Sequence, residues 1–129
     1  MKSAQLRSVD WTCTWISADG TTLEPSADGA PTLRIELPAN ATGYAGVNRF
    51  GGPAELPSGE PGARGAIAFP ALGATKMAGP PERMALERTY FAALRSARSY
   101  RISGTELLLE APSGPVARFR AAPAPEAGP

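Results

Sequence analysis

Residues able to do chemistry are few in this chain of 129 residues, and they are scattered. One glycine-rich box, Gly43-Tyr44-Ala45-Gly46-Val47-Asn48-Arg49-Phe50-Gly51-Gly52, carries an amide and a guanidinium. A second segment, Thr75-Lys76-Met77-Ala78-Gly79-Pro80-Pro81, adds a hydroxyl and an ammonium. A glycine-rich box that carries Asn48 and Arg49 invites a ligand-loop reading. The box lacks the Gly-Lys-Ser/Thr ending of a P-loop and the spacing of a dinucleotide fingerprint. The plainer expectation is a bend or bulge, with Gly43, Gly46 and Asn48 supplying positive φ over a packed Phe50. Arg49 and Lys76 together could grip an anion, against the commoner outcome of solvated charges in weak surface pairs.

Other chemistry is thinned out by composition. There is no histidine, which removes the commonest general base, the Ser-His and Cys-His pairs, and most zinc sites. The single cysteine, Cys13, can form neither an internal disulfide nor a thiolate cluster, and is expected to act as a small buried hydrophobe. Ser3, Ser96 and Ser99 lie near lysine or arginine without a tuned base. Glu55 and Glu60 sit in a Pro/Gly loop that would hold a carboxylate pair poorly. No catalytic, cofactor-binding or metal-binding residue is assigned, and the chain is expected not to be an enzyme. A net charge of +1 offers no electrostatic footprint for nucleic acid or an anionic membrane. No stretch approaches the roughly 20 apolar residues that span a bilayer. Arg7 and Asp10 interrupt any secretory apolar run, and Asp10-Trp11-Thr12 before Cys13 is unlike a lipoprotein signal. The residues as written suit the cytoplasm, or the periplasm or envelope if a signal peptide has been trimmed.

The elements that must position these residues are mostly strands. Trp11, Cys13 and Trp15 alternate on one expected inner face, and Asp19-Gly20 signals a turn. Thr32 to Leu37 alternates without error, putting Leu33, Ile35 and Leu37 inward, with a returning partner over Ala41 to Val47. Gly51-Gly52-Pro53 and residues 57–62 read as a long loop region, and Ala66 to Phe69 as a short apolar strand. Pro80-Pro81 opens one helix, near Glu82 to Arg98, with Met84, Phe91 and Leu94 expected in the core and Tyr90 and Ala97 flanking. Glu82 and Glu87 near its start and Arg95 and Arg98 near its end suit the helix dipole. Strands over Tyr100–Ile102, Glu106–Leu109 and Val116–Arg120 follow, joined by hairpin-sized turns. The expected fold is α+β, a single domain in which a curved, half-barrel-like antiparallel sheet packs against one main helix. Residues 1–9 read as a polar leader, 10–120 as the domain and 121–129 as a disordered Ala/Pro-rich tail.

Taken in order, from about Trp11 to Arg120, these residues resemble the META domain family, which includes HslJ-like heat-shock proteins. The box from Gly43 to Gly52, the Thr75-Lys76-Met77-Ala78 segment, Glu87, Phe91 and Leu94 on the helix, Tyr100, and Leu107 with Leu109 match the family's succession of motifs. The resemblance implies that Gly43, Gly46, Asn48, Phe50, Gly51, Thr75 and Met77 are structural motif positions. Val47 and Gly79 stand where members often carry cysteine, so the resemblance also implies that these two positions are neighbours in space. It further implies a non-enzymatic accessory or binding module in stress response or envelope maintenance, in a family best known as periplasmic or outer-membrane-anchored. The alternative is a half-barrel that binds a small ligand or lipid in an apolar cavity between sheet and helix. The expected partner is a protein or a small apolar ligand, with no cofactor.

Overall fold

The alternating segments become strands because a half-buried strand places every second side chain on one face. The computed structural model describes residues 6, 9–26, 29–36, 40–56 and 63–121. Its strands are β1 (Trp11–Ala18), β2 (Thr21–Leu23), β3 (Thr32–Glu36), β4 (Asn40–Tyr44), β5 (Arg49–Pro53), β6 (Arg64–Ala66), β7 (Gly73–Ala74), β8 (Ser99–Ser103), β9 (Glu106–Ala111) and β10 (Gly114–Ala121). One helix, α1 (Pro81–Ser96), separates β7 from β8. All ten strands join one antiparallel sheet in the order β6-β8-β9-β10-β1-β3-β4-β5-β7, with β2 on β1. The sheet curls into a half-barrel with the helix packed on it. Just beyond β5, Glu55 exchanges backbone hydrogen bonds with Ala68, just beyond β6 (2.7 and 3.0 Å), which ties the two ends of the curl together.

Local signals explain much of this. Asp19 and Gly20 both have positive φ (51° and 77°), the geometry that matches the twist of a two-residue hairpin between β1 and β2. Pro81 begins α1 where a missing N–H costs nothing, and Pro80 accepts from the amides of Arg83 and Met84. At the other end the Arg98 guanidinium donates to the carbonyls of Arg95 and Ala97 (2.9 and 2.8 Å), a cation on the negative pole of the helix. Trp11, Ile16, Leu33, Ile35, Tyr90, Leu94, Leu107, Leu109 and Phe119 are fully buried and fill the space between sheet and helix. The Tyr90 hydroxyl donates to the Thr32 carbonyl at 2.6 Å, so the core carries no unpaired phenol there. Leu6, inside the segment read as a polar leader, is buried as well and accepts from the Trp11 indole through its carbonyl. Leu37, Glu60 and residues 122–129 of the tail lie outside the described residues.

Three expectations are corrected. Trp15 does not face inward with Trp11 and Cys13. A β-bulge between Cys13 and Trp15 shifts the register against β10, so Ile16 enters the core and Trp15 turns out beneath the Arg118 guanidinium, 5.7 Å away. Gly51-Gly52-Pro53 is not loop but part of β5, laddered to β4 along its whole length and to β7 at Phe50 and Gly51. Met84 and Phe91 are not central core residues. Leu86, Tyr90, Ala93, Leu94 and Ala97 form the buried face, while Met84 and Phe91 are half-buried along its side. Cys13 is buried as expected, and burial pushes its thiol up to about 12, which leaves it neutral and inert.

Candidate functional site

The glycine-rich box forms the β4–β5 connection, closed by the Ala45 amide donating to the Asn48 carbonyl (2.9 Å). Gly46 has the positive φ (135°) that such a bend asks for, and the start of α1 passes close above it: a Cβ there would stand 3.1 Å from the Arg83 carbonyl oxygen. Gly43 and Asn48 do not have the expected positive φ. Gly43 is needed for close packing instead, because a Cβ would collide with the Thr32 carbonyl oxygen and come within 2.8 Å of the Phe50 ring. Phe50 is buried, edge-on to both Tyr90 (5.9 Å) and Phe91 (5.6 Å). Gly51 meets nothing closer than 3.6 Å, so its surroundings would admit a side chain.

Asn48 acts through its side chain. Its amide nitrogen donates to Glu87 Oε2 (2.9 Å) and to the Met77 carbonyl (3.1 Å), while its Oδ1 accepts from Thr75 Oγ1 (2.9 Å) and the Met77 amide (2.7 Å). Two donors and two acceptor sites are the full capacity of an asparagine, and all are used. Glu87 Oε1 accepts from the backbone amides of Val47 (3.0 Å) and Asn48 (2.7 Å). Burial alone would raise the Glu87 pKa, but the hydrogen bonds from the Asn48 side chain and from the Asn48 and Val47 amides outweigh it, so the carboxyl titrates below its ordinary value. A second clamp lies alongside, where Arg83 Nε (3.0 Å) and the Tyr44 hydroxyl (2.6 Å) both donate to the Gly46 carbonyl. The box, the Thr75–Met77 segment and the helix are thus joined by one polar knot.

Glu87 is the residue whose importance sequence reasoning missed. Its signal was present: Met84, Glu87, Phe91 and Leu94 share a helical spacing, and a carboxylate inside an apolar stripe needs a buried partner. Val47 and Gly79 are indeed close neighbours. A Cβ built on Gly79 would lie 3.5 Å from Val47 Cβ, inside the roughly 3.5–4.5 Å over which disulfides close.

Beside the knot runs an open groove of about 630 Å³. One wall is the strap Leu72–Ala78, which contains β7 and leads toward α1; the other is the helix stripe Met84, Glu87, Phe91 and Arg95. Asn48 pins the strap backbone at Met77, yet the Met77 side chain is 60% exposed, pointing its thioether away from the core. Lys76 on the strap and Arg95 on the helix contribute a cation to each wall, and neither has an ionic partner among the described residues. Arg49 is exposed on β5 and does not line the groove, so the cation opposite Lys76 is Arg95. The Ser96 hydroxyl donates back to the Ala93 carbonyl within the helix (2.9 Å). Among the described residues no three His, Cys, Asp or Glu side chains cluster as metal ligands, and no helix is long and apolar enough to cross a membrane.

The same architecture occurs in solved structures. An NMR structure of a protein from Burkholderia xenovorans superposes with a TM-score of 0.72 at 26% identity, covering 92% of this chain and 85% of that one. A second NMR structure gives a TM-score of 0.61 at 19% identity, with 89% of this chain and 90% of the other covered, a likeness of fold. No curated protein matches the chain significantly. The META domain family pattern matches residues 4–123, a span that holds the glycine-rich box, the strap and the glutamate that ties them together. With that match across nearly its whole length, the chain belongs to the META domain family.

Proposed function

We propose that this META domain is a non-enzymatic binding module, an accessory protein of the HslJ-like kind working in stress response or envelope maintenance, and that the strap–helix groove is its binding surface. The observation that carries this reading is the contrast in the groove's lining: the polar groups of Asn48 and Glu87 are engaged internally, while Leu72, Met77, Met84 and Phe91 present apolar surface to whatever enters. Its volume lies within the roughly 300–1,000 Å³ typical of small-molecule sites. A nucleophile with an adjacent base has no counterpart among the described groove residues. Core side chains fill the space between sheet and helix, so a small-ligand reading is carried by this open groove and not by an interior cavity.

Native mass spectrometry of the protein purified from its own host tests the reading. Retention of a ligand or partner is expected, and Ala78→Trp, which fills the groove from the strap, should abolish it. Retention of the same species by that variant would overturn the assignment of the groove.

A further inference from the structure

We infer that the groove takes a single-chain amphiphile with an anionic head, the head held between Lys76 and Arg95 and the chain laid along Phe91, Leu72, Met84 and Met77. This rests on the groove being the binding surface and names the class of ligand it selects. Three features of the lining point the same way. First, a cation lines each wall of the groove, and neither has a carboxylate partner among the described residues. Second, the carboxylate that does line the groove, Glu87, is turned to the amides of Val47 and Asn48 and to the Asn48 side chain, so it is not available to neutralise them. Third, the uncharged polar side chain in the lining with the richest capacity, Asn48, has no donor or acceptor left for a ligand.

Those features leave a polyhydroxylated ligand little hydrogen bonding from the Asn48 and Glu87 side chains. They favour an apolar chain whose polarity is confined to one charged end. The shape agrees. Met84 and Arg95 stand about three turns apart, roughly 16 Å along the helix, with Arg95 at one end of the stripe. Methionine on both walls, Met77 and Met84, gives a soft lining that adapts to a flexible chain.

The full chain, labelled at its methionine methyl groups, is titrated with decanoate, decanol and acetate below micellar concentrations and followed by NMR. Decanoate should shift Met77 and Met84 and bind roughly tenfold tighter than decanol, the scale of two exposed ion pairs. Acetate should give no saturable shift. The double variant Lys76→Glu, Arg95→Glu should bind decanol as before and lose the preference for decanoate. Equal binding of decanoate and decanol, or a preference that survives the double variant, would overturn the head-group assignment while the groove stands. Failure of both long-chain probes to shift Met77 and Met84 would overturn the groove as well.

Discussion

The polar knot at Asn48 and the groove beside it share Thr75, Met77 and Glu87, yet they use these residues in opposite ways. In the knot, every polar atom of the Asn48 side chain is matched, and the Met77 backbone is held through both its amide and its carbonyl. In the groove, the Met77 side chain projects outward and two cations lack ionic partners among the described residues. A rigid backbone thus displays side chains that contribute little to folding. That division is what a preorganised binding surface requires, because a wall already fixed loses less entropy when a ligand arrives.

The largest expected effect sharpens the knot side of the comparison. Cysteines at Val47→Cys and Gly79→Cys should crosslink spontaneously under mild oxidation, visible on a non-reducing gel, and raise stability by about 4 kcal/mol from loop closure in the unfolded chain. The inert Cys13 should take no part. Next, Glu87→Ala leaves the Val47 and Asn48 amides and the Asn48 side chain short of an acceptor, and should cost about 3 kcal/mol in urea unfolding. A loss below about 1 kcal/mol would show that the knot does not hold the box to the helix.

A smaller effect is expected from pH. Because the folded-state pKa of Glu87 is depressed, its contribution is fully present above the ordinary value of 4.5 and is lost as pH falls through the lower folded value. In that window the unfolded chain binds more protons, so stability should decline on acidification, and Glu87→Gln should flatten the decline in parallel urea titrations. The smallest effect belongs to the groove. Met77→Ser and Lys76→Glu should each leave the unfolding free energy within about 0.5 kcal/mol of the parent, as exposed side chains outside the knot. A large loss from either would erase the distinction between the two regions.

Local patterns in the sequence determined a good deal. The alternation of Thr32 to Glu36, the hairpins around Ser103–Thr105 and Ala111–Gly114, and the prolines opening α1 each specify their element through backbone geometry and side-chain periodicity, which need no distant partner. The succession of motifs also indicated the family. Other features required the assembled fold. Arg49–Pro53, with its two glycines and a proline, is a strand because β4 and β7 pair with it, not because its residues favour extension. Trp15 faces outward because one bulged residue on β1 reverses the alternation, and a bulge is a property of a pair of strands. Which side of α1 is buried was ambiguous where apolar residues occupy two adjoining stripes, and contact with the sheet chose Leu86 and Tyr90 over Met84 and Phe91. Neither the pairing of Asn48 with Glu87 nor the placing of Lys76 and Arg95 along one groove leaves a local pattern. Both come from segments far apart in the chain, and only the closing of the curled sheet against the helix brings them together.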